Sequence, residues 1–200
     1  MQAALFAVRP GWCRKIATRE KTIEVRKTAP KLPTPYKGYL YCTKRQKPAL
    51  INLQNLPETP YIITAGDHSR KYEVPDMDWA RLCNGKVWAE FICDTDLPLL
   101  FECSDPAALV THYEVPGTCL SDVEIMDYLG NGKEGHGLHI SELTIYDKPR
   151  ELSEFRRVCV NGLYCESCAM YNAHTEICGN AALYLRRPPQ SWCYVEEIRP

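Results

Sequence analysis

Apolar and polar positions along the chain fall into short runs of strand length, interleaved with a few short helical stretches. Ala4-Leu5-Phe6-Ala7-Val8 is an apolar run of strand length, and Pro10-Gly11 breaks it. Residues 12–19 follow, where Trp12, Ile16 and Ala17 share one helical face. From Thr22 to Arg26 the pattern alternates: Ile23 and Val25 point one way, and Thr22, Glu24 and Arg26 the other. That is a strand with one polar face. A proline-rich connection through Pro30, Pro33 and Pro35 leads to a further strand, Tyr39-Leu40-Tyr41-Cys42.

Residues 85–93, rich in aromatic and β-branched side chains, predict a central strand. Residues 138–146 return to β character, ended by Asp147-Lys148-Pro149, and residues 192–198 supply the last strand. Two helices are expected: 105–113, opened by Ser104-Asp105-Pro106, and 121–129, closed by Gly130. Residues 44–80 are irregular, with Pro48, Pro57, Pro60 and Pro75 around one β-like run at 61–64, and read as an insertion or long loop. Short strands with a few short helices do not fit a doubly wound sheet, which needs regular βα alternation. The pattern predicts an α+β fold built as a small mixed β-barrel with short flanking helices.

The chain has 200 residues and 45% hydrophobic content, enough to bury a core. The apolar stretch near its start meets Arg9 and Pro10 at once, too early for a signal-peptide core or a membrane span, so the expected location is cytoplasmic. Charge changes the picture more. The whole chain is nearly neutral, with 24 Lys/Arg against 25 Asp/Glu, yet residues 1–47 hold twelve Lys/Arg and only two acids, Glu20 and Glu24. A basic stretch of this kind attracts phosphate; the same lysines spread over several faces would merely be solvated.

Three segments together resemble the ASCH family of the PUA-like superfamily. Val8-Arg9-Pro10-Gly11-Trp12 leads to Lys21-Thr22-Ile23-Glu24-Val25-Arg26, similar to the family's Lys-x-x-Glu-x-Arg strand. Residues 85–91 resemble its Gly-Lys-Val-x-x-Glu strand, and residues 138–155 its closing segment. Pro188 to Glu196 resembles the last strand of phage- and prophage-associated members. The resemblance implies a PUA-like barrel over residues 1–155 with a cleft between the first helix and the barrel, where relatives bind RNA, nucleotides or modified nucleosides. It also brings in a phage-encoded protein that docks on a host protein partner as a further reading, with function then placed in 44–80.

The candidate binding residues are Arg9, Trp12, Lys21, Glu24 and Arg26. Lys21 and Arg26 suit phosphate, Glu24 accepts a proton from a base edge, and Trp12 offers a stacking face. The same residues also read as an ion pair at a barrel rim, with Trp12 as core packing. An enzymatic alternative uses Lys21 and Glu24 as catalytic residues of a hydrolase on RNA or modified nucleosides, with a histidine such as His139 joining them. Amidohydrolases of the family place a threonine where this chain has Glu24, and a carboxylate does not replace an activated hydroxyl.

Eleven cysteines in a chain read as unexported argue for metal ligation or burial over disulfides. Cys165-Glu166-Ser167-Cys168 has CxxC spacing, and Cys159 and Cys178 complete a tetrahedral zinc set, with Cys193 or His174 as substitutes. Such a Zn2+ would be structural, stapling a Cys-rich extension over residues 156–200 that ends in a strand returning to the barrel. Uncoordinated thiols are the plainer reading of the same cluster. The other six, Cys13, Cys42, Cys83, Cys93, Cys103 and Cys119, read as small buried hydrophobes.

Overall fold

A computed structural model describes residues 2–44, 62–64, 69–71, 83–101, 114–159, 170–172 and 177–198. Its main sheet has five strands: β1 (Gln2–Val8), β3 (Tyr36–Cys42), β6 (Val87–Cys93), β11 (Ser141–Arg150) and β14 (Trp192–Glu196). Their order is β11-β6-β3-β1-β14, and only the β1–β3 pair is parallel. A three-stranded antiparallel sheet packs beside it in the order β2-β10-β7, from β2 (Ile23–Arg26), β7 (Asp96–Leu100) and β10 (Glu134–His139).

The Ala-Ala-Leu-Phe-Ala-Val run becomes a strand because both of its faces are covered. Ala4, Phe6 and Val8 join a core with Ile16, Leu40, Trp88 and Phe91. Ala3, Leu5 and Ala7 join a second core with Tyr39, Val87, Leu152, Phe155 and Leu185. Each large side chain so buried contributes about 1.5–3 kcal/mol. Helix α1 (Pro10–Ala17) closes the first core with Cys13, Ile16 and Ala17. It begins at Pro10, two residues before the sequence pattern places it. Proline's missing N–H costs nothing in the first turn, so the residue that ends β1 also starts the helix.

The segment 138–146 is not one strand. The chain crosses from the small sheet to the main sheet at Ile140, giving β10 before it and β11 after it, and β11 runs on through Pro149 to Arg150. The same crossing occurs between β6 and β7 at Asp94-Thr95, and His139 N–H donates to Thr95 O at 2.9 Å where the two crossings meet. Strand β7 was not expected, since Asp96-Leu-Pro-Leu-Leu carries a proline; it is tolerated on the edge of a sheet. These crossings join the two sheets at one corner. Among the described residues no hydrogen-bonded ladder closes them into a barrel.

Helix α2 (Asp122–Leu129) covers the outer face of the small sheet, packing Ile125 and Leu129 on Val25 and Leu99. Ser121 caps it: its hydroxyl accepts from Glu124 N at 3.3 Å, and Glu124 Oε2 accepts from Ser121 N at 2.8 Å. Before it, β8 (Glu114–Val115) and β9 (Leu120–Ser121) form a small hairpin. Gly117 at its tip has φ +76°, and its carbonyl accepts from both Thr22 N and Ile23 N at 2.8 Å. A hairpin of β4 (Ile62–Thr64) and β5 (Ser69–Lys71) is the described part of the 44–80 insertion. The helix expected at 105–113 lies outside the described residues. No helix of the described residues is long and apolar enough to cross a membrane.

The C-terminal strand is part of the main sheet, paired antiparallel along β1 from Gln2–Glu196 to Phe6–Trp192. Between Phe155 and β14, Leu185 N donates to Phe155 O at 2.8 Å and Arg156 Nη2 meets Glu196 Oε1 at 2.8 Å. Short strands β12 (Tyr171–Asn172) and β13 (Ile177–Cys178) pair within the extension.

Gly38 sits opposite Phe91 in the β3–β6 register, and the Phe91 ring, 5.8 Å from that of Phe6, lies across the space a side chain would take. A Cβ at Gly38 would collide with that ring in a packed core. Gly38→Ala is expected to lower stability by about 1–3 kcal/mol, read as a fall in the urea midpoint at unchanged slope. A variant as stable as the parent would contradict this packing.

Candidate nucleotide-binding cleft

The polar face of β2 is turned inward. Glu24 is 7% exposed, Arg26 6% and Lys21 2%, as buried as Val25 on the opposite face. Buried charges need partners, since an isolated one is expensive, and these three form a set. Glu24 Oε1 meets Arg26 Nη2 at 2.9 Å, and Glu24 Oε2 stands 3.5 Å from Lys21 Nζ. Arg26 Nη2 also donates to Ala7 O at 2.8 Å, and Arg26 Nη1 to Ser191 Oγ at 3.2 Å. Lys21 Nζ donates to Ile23 O at 2.7 Å and to Thr118 O at 2.9 Å.

The expected role of Lys21 and Arg26 as direct phosphate holders meets a different geometry. The ammonium group has two backbone acceptors and a carboxylate around it, and it latches the 114–121 hairpin to β2. The guanidinium likewise reaches strand β1 and Ser191, the residue before β14. Among the described residues, Glu24 Oε2, though 3.5 Å from the Lys21 ammonium, has no hydrogen-bond partner, and neither has Arg26 Nε. Burial lowers the Lys21 pKa below the ordinary lysine range, and the neighbouring Glu24 charge partly offsets this.

Above the set opens a cleft of about 520 Å³. Arg9, Trp12, Lys21, Glu24 and Arg26 all line it, brought together from the N-cap of α1, the helix itself, the turn after it and β2. Trp12 is half-buried on α1, with the ammonium groups of Lys21 and Lys15 at 5.1 and 5.5 Å from its ring centre. Arg9 is exposed at the rim, as is Lys44. The opposite wall is α2, through Glu124 and Tyr128, the latter with Lys27 Nζ 5.3 Å from its ring. Sequence reasoning found α2 but not its place on the cleft. Thr43, Lys44 and Gln190 were likewise missed, since no local motif marks residues that meet only through the fold.

His139 does not join Lys21 and Glu24. In the β2–β10 register it stands opposite Ile23, on the other face from the Leu138–Glu24 pair. There its Nδ1 is hydrogen-bonded to Asp94 Oδ1 at 2.7 Å, which holds the Asp94 carboxyl below its usual range. His136 is engaged with Asp96 at 3.0 Å in the same way. His139 therefore does not complete the acid–base constellation of the ribonuclease alternative around Glu24.

Of the zinc set, Cys165 and Cys168, with the substitute His174, lie outside the described residues. Cys178 is a buried thiol and Cys159 a half-buried one, and among the described residues no three His, Cys, Asp or Glu side chains stand together as a metal site. Cys193 packs against the core that holds Leu5 and Phe155, and burial raises its pKa. Of the six dispersed cysteines, Cys13, Cys42, Cys83 and Cys93 are fully buried, as expected. Cys119 instead sits half-buried in the hairpin, its thiol donating to Glu20 O at 3.2 Å, and Cys103 is outside the described residues.

In a protein carrying ¹³C-labelled lysine, the Lys21 ε-methylene resonance is expected to titrate below the other lysines. In Glu24→Gln it should titrate lower still, because the charge that offsets burial is gone. A Lys21 that titrates with the surface lysines in both proteins would contradict the buried set.

No protein-family model and no curated protein matches the chain. Among solved structures, a point mutant of the ASCH protein of Zymomonas mobilis is similar at 14% identity, over 98% of this chain and 91% of that one, with a TM-score of 0.42.

Proposed function

We propose that this chain is an ASCH-type, PUA-like module that binds a nucleotide, free or within RNA, in the cleft between α1, β2 and α2. The observation that carries the reading is the floor of that cleft. Glu24, 7% exposed and held in place by Arg26 and Lys21 beneath a 520 Å³ opening, keeps one carboxylate oxygen without a hydrogen bond among the described residues. An unsatisfied buried acceptor costs about 1–3 kcal/mol, and a ligand that donates to it recovers that cost. The amino or imino edge of a base is such a donor. Trp12 supplies a stacking face, Lys15 yielding its place over the ring, and the exposed cations Arg9 and Lys44 at the rim suit phosphate.

Roles divide by depth. The floor reads a base edge, and the rim meets the backbone. The buried cations orient Glu24 and leave phosphate to the surface. His139, the histidine named for the hydrolytic alternative, is engaged with Asp94 on the far face of β10, which favours binding over turnover. The cysteine cluster has no part in this reading; zinc at Cys159, Cys165, Cys168 and Cys178 stays a separate proposal about how the extension holds together.

Fluorescence anisotropy with a fluorescein-labelled single-stranded RNA decamer of mixed sequence tests the cleft. Trp12→Ala is expected to weaken binding about tenfold, from the ~1–3 kcal/mol of a lost stack, and Glu24→Gln to alter the preference among bases. Arg9→Ala should flatten the salt dependence. If Trp12→Ala and Glu24→Gln both bind as the parent does, the cleft is not the site.

A further inference from the structure

Residues 186–190, Arg-Arg-Pro-Pro-Gln, form a bridge over the surface that the cleft does not use up. The bridge is pinned at both ends. Leu185 is 2% exposed and its N–H donates to Phe155 O at 2.8 Å, while Ser191 O accepts from Ala7 N at 2.8 Å and Ser191 Oγ from Arg26 Nη1. Between these anchors Arg186, Arg187, Pro188 and Gln190 are exposed and Pro189 is half-buried. Pro188 and Pro189 fix φ at two positions and disfavour helical backbone at Arg187.

Gln190 lines the cleft, and Pro188 and Pro189 separate it from Arg187. Three residues of chain span at most about 11 Å, so Arg187 lies within that reach of Gln190. Neither arginine meets an acid among the described residues. Beyond them Tyr184 is 38% exposed, with the Arg156 guanidinium 5.7 Å from its ring. On the near side, the loop carrying the exposed Lys27 and Lys31 is fastened to β14. Trp192 Nε1 donates to Thr28 O at 2.9 Å, and Lys31 N donates to Tyr194 Oη at 2.8 Å.

Exposed cations close to an exposed aromatic ring are what a single-stranded backbone and its bases require. A base can reach Glu24 only if it has left its stack, which excludes an intact duplex at the cleft. We propose that the cleft takes one nucleotide of a longer single-stranded nucleic acid, whose neighbouring phosphates lie on Arg187 and Arg186 and whose next exposed base meets Tyr184. The proposal rests on the nucleotide-binding reading of the cleft and gives that site its partner class, an extended strand in place of a free nucleotide.

The test compares the parent, an Arg186→Glu/Arg187→Glu variant and an Arg186→Lys/Arg187→Lys variant for binding of the labelled RNA decamer. All three should melt alike, because both side chains are exposed. Charge reversal is expected to weaken decamer binding at least tenfold and to reduce the slope of log affinity against log salt by about 1.4, two phosphates at ~0.7 each. The lysine variant should retain most of the affinity. If the charge-reversed protein binds the decamer like the parent while Trp12→Ala still weakens it, the bridge is not on the path and the cleft reading survives. A parent protein that binds no decamer overturns both.

Discussion

The Glu24–Arg26 pair joins the two sheets of this molecule. Both residues belong to β2 in the small sheet, yet the Arg26 guanidinium ends on Ala7 O of β1 and on Ser191 beside β14 in the main sheet. One side chain therefore ties the two sheets together, in addition to the crossings at Asp94-Thr95 and Ile140. Lys21 extends the same set to Thr118 and so fixes the hairpin that leads into α2. Removing one partner of such a buried set costs about 3–5 kcal/mol, because the remaining charge stays buried without compensation. The walls of the cleft, α1 on one side and α2 on the other, are positioned by these contacts.

That arrangement divides the cations of the basic N-terminal stretch into two groups. Two of its cations, Lys21 and Arg26, are internal fasteners around a carboxylate. Others, Arg9, Lys27, Lys31 and Lys44, are left at the surface. Counting lysines and arginines does not separate the two groups; burial does. The buried group fixes the acceptor that a base would meet, and the exposed group provides the field a phosphate would feel.

Much of this could be read from residues in order, and the misses have physical causes. β1, β3 and β6 show in their apolar runs because each is covered on both faces. The capping pair Ser121 and Glu124 marks the start of α2. The convergence of Arg9, Trp12, Lys21, Glu24 and Arg26 follows from an order of strand, helix and strand in which the second strand must return beside the helix. β7 and the front of β10 escape notice because one holds Pro98 and the other Gly135 and Gly137, residues that local propensity assigns to turns. The part of Lys21 was hidden for a different reason: its acceptors are the carbonyls of Ile23 and Thr118, and a backbone carbonyl has no signature in sequence. Tyr128 and Gln190 reach the cleft only through tertiary packing, far along the chain from β2.

The central claim is that a base edge meets Glu24 at the floor of the cleft. Chemical-shift mapping on ¹⁵N-labelled protein, titrated with an unlabelled single-stranded RNA, reads this directly. The account predicts that the Trp12 indole N–H and the amides of residues 21–26 shift together and saturate at one equivalent. Shifts that leave those signals in place and cluster elsewhere, or no shifts at all, would contradict it.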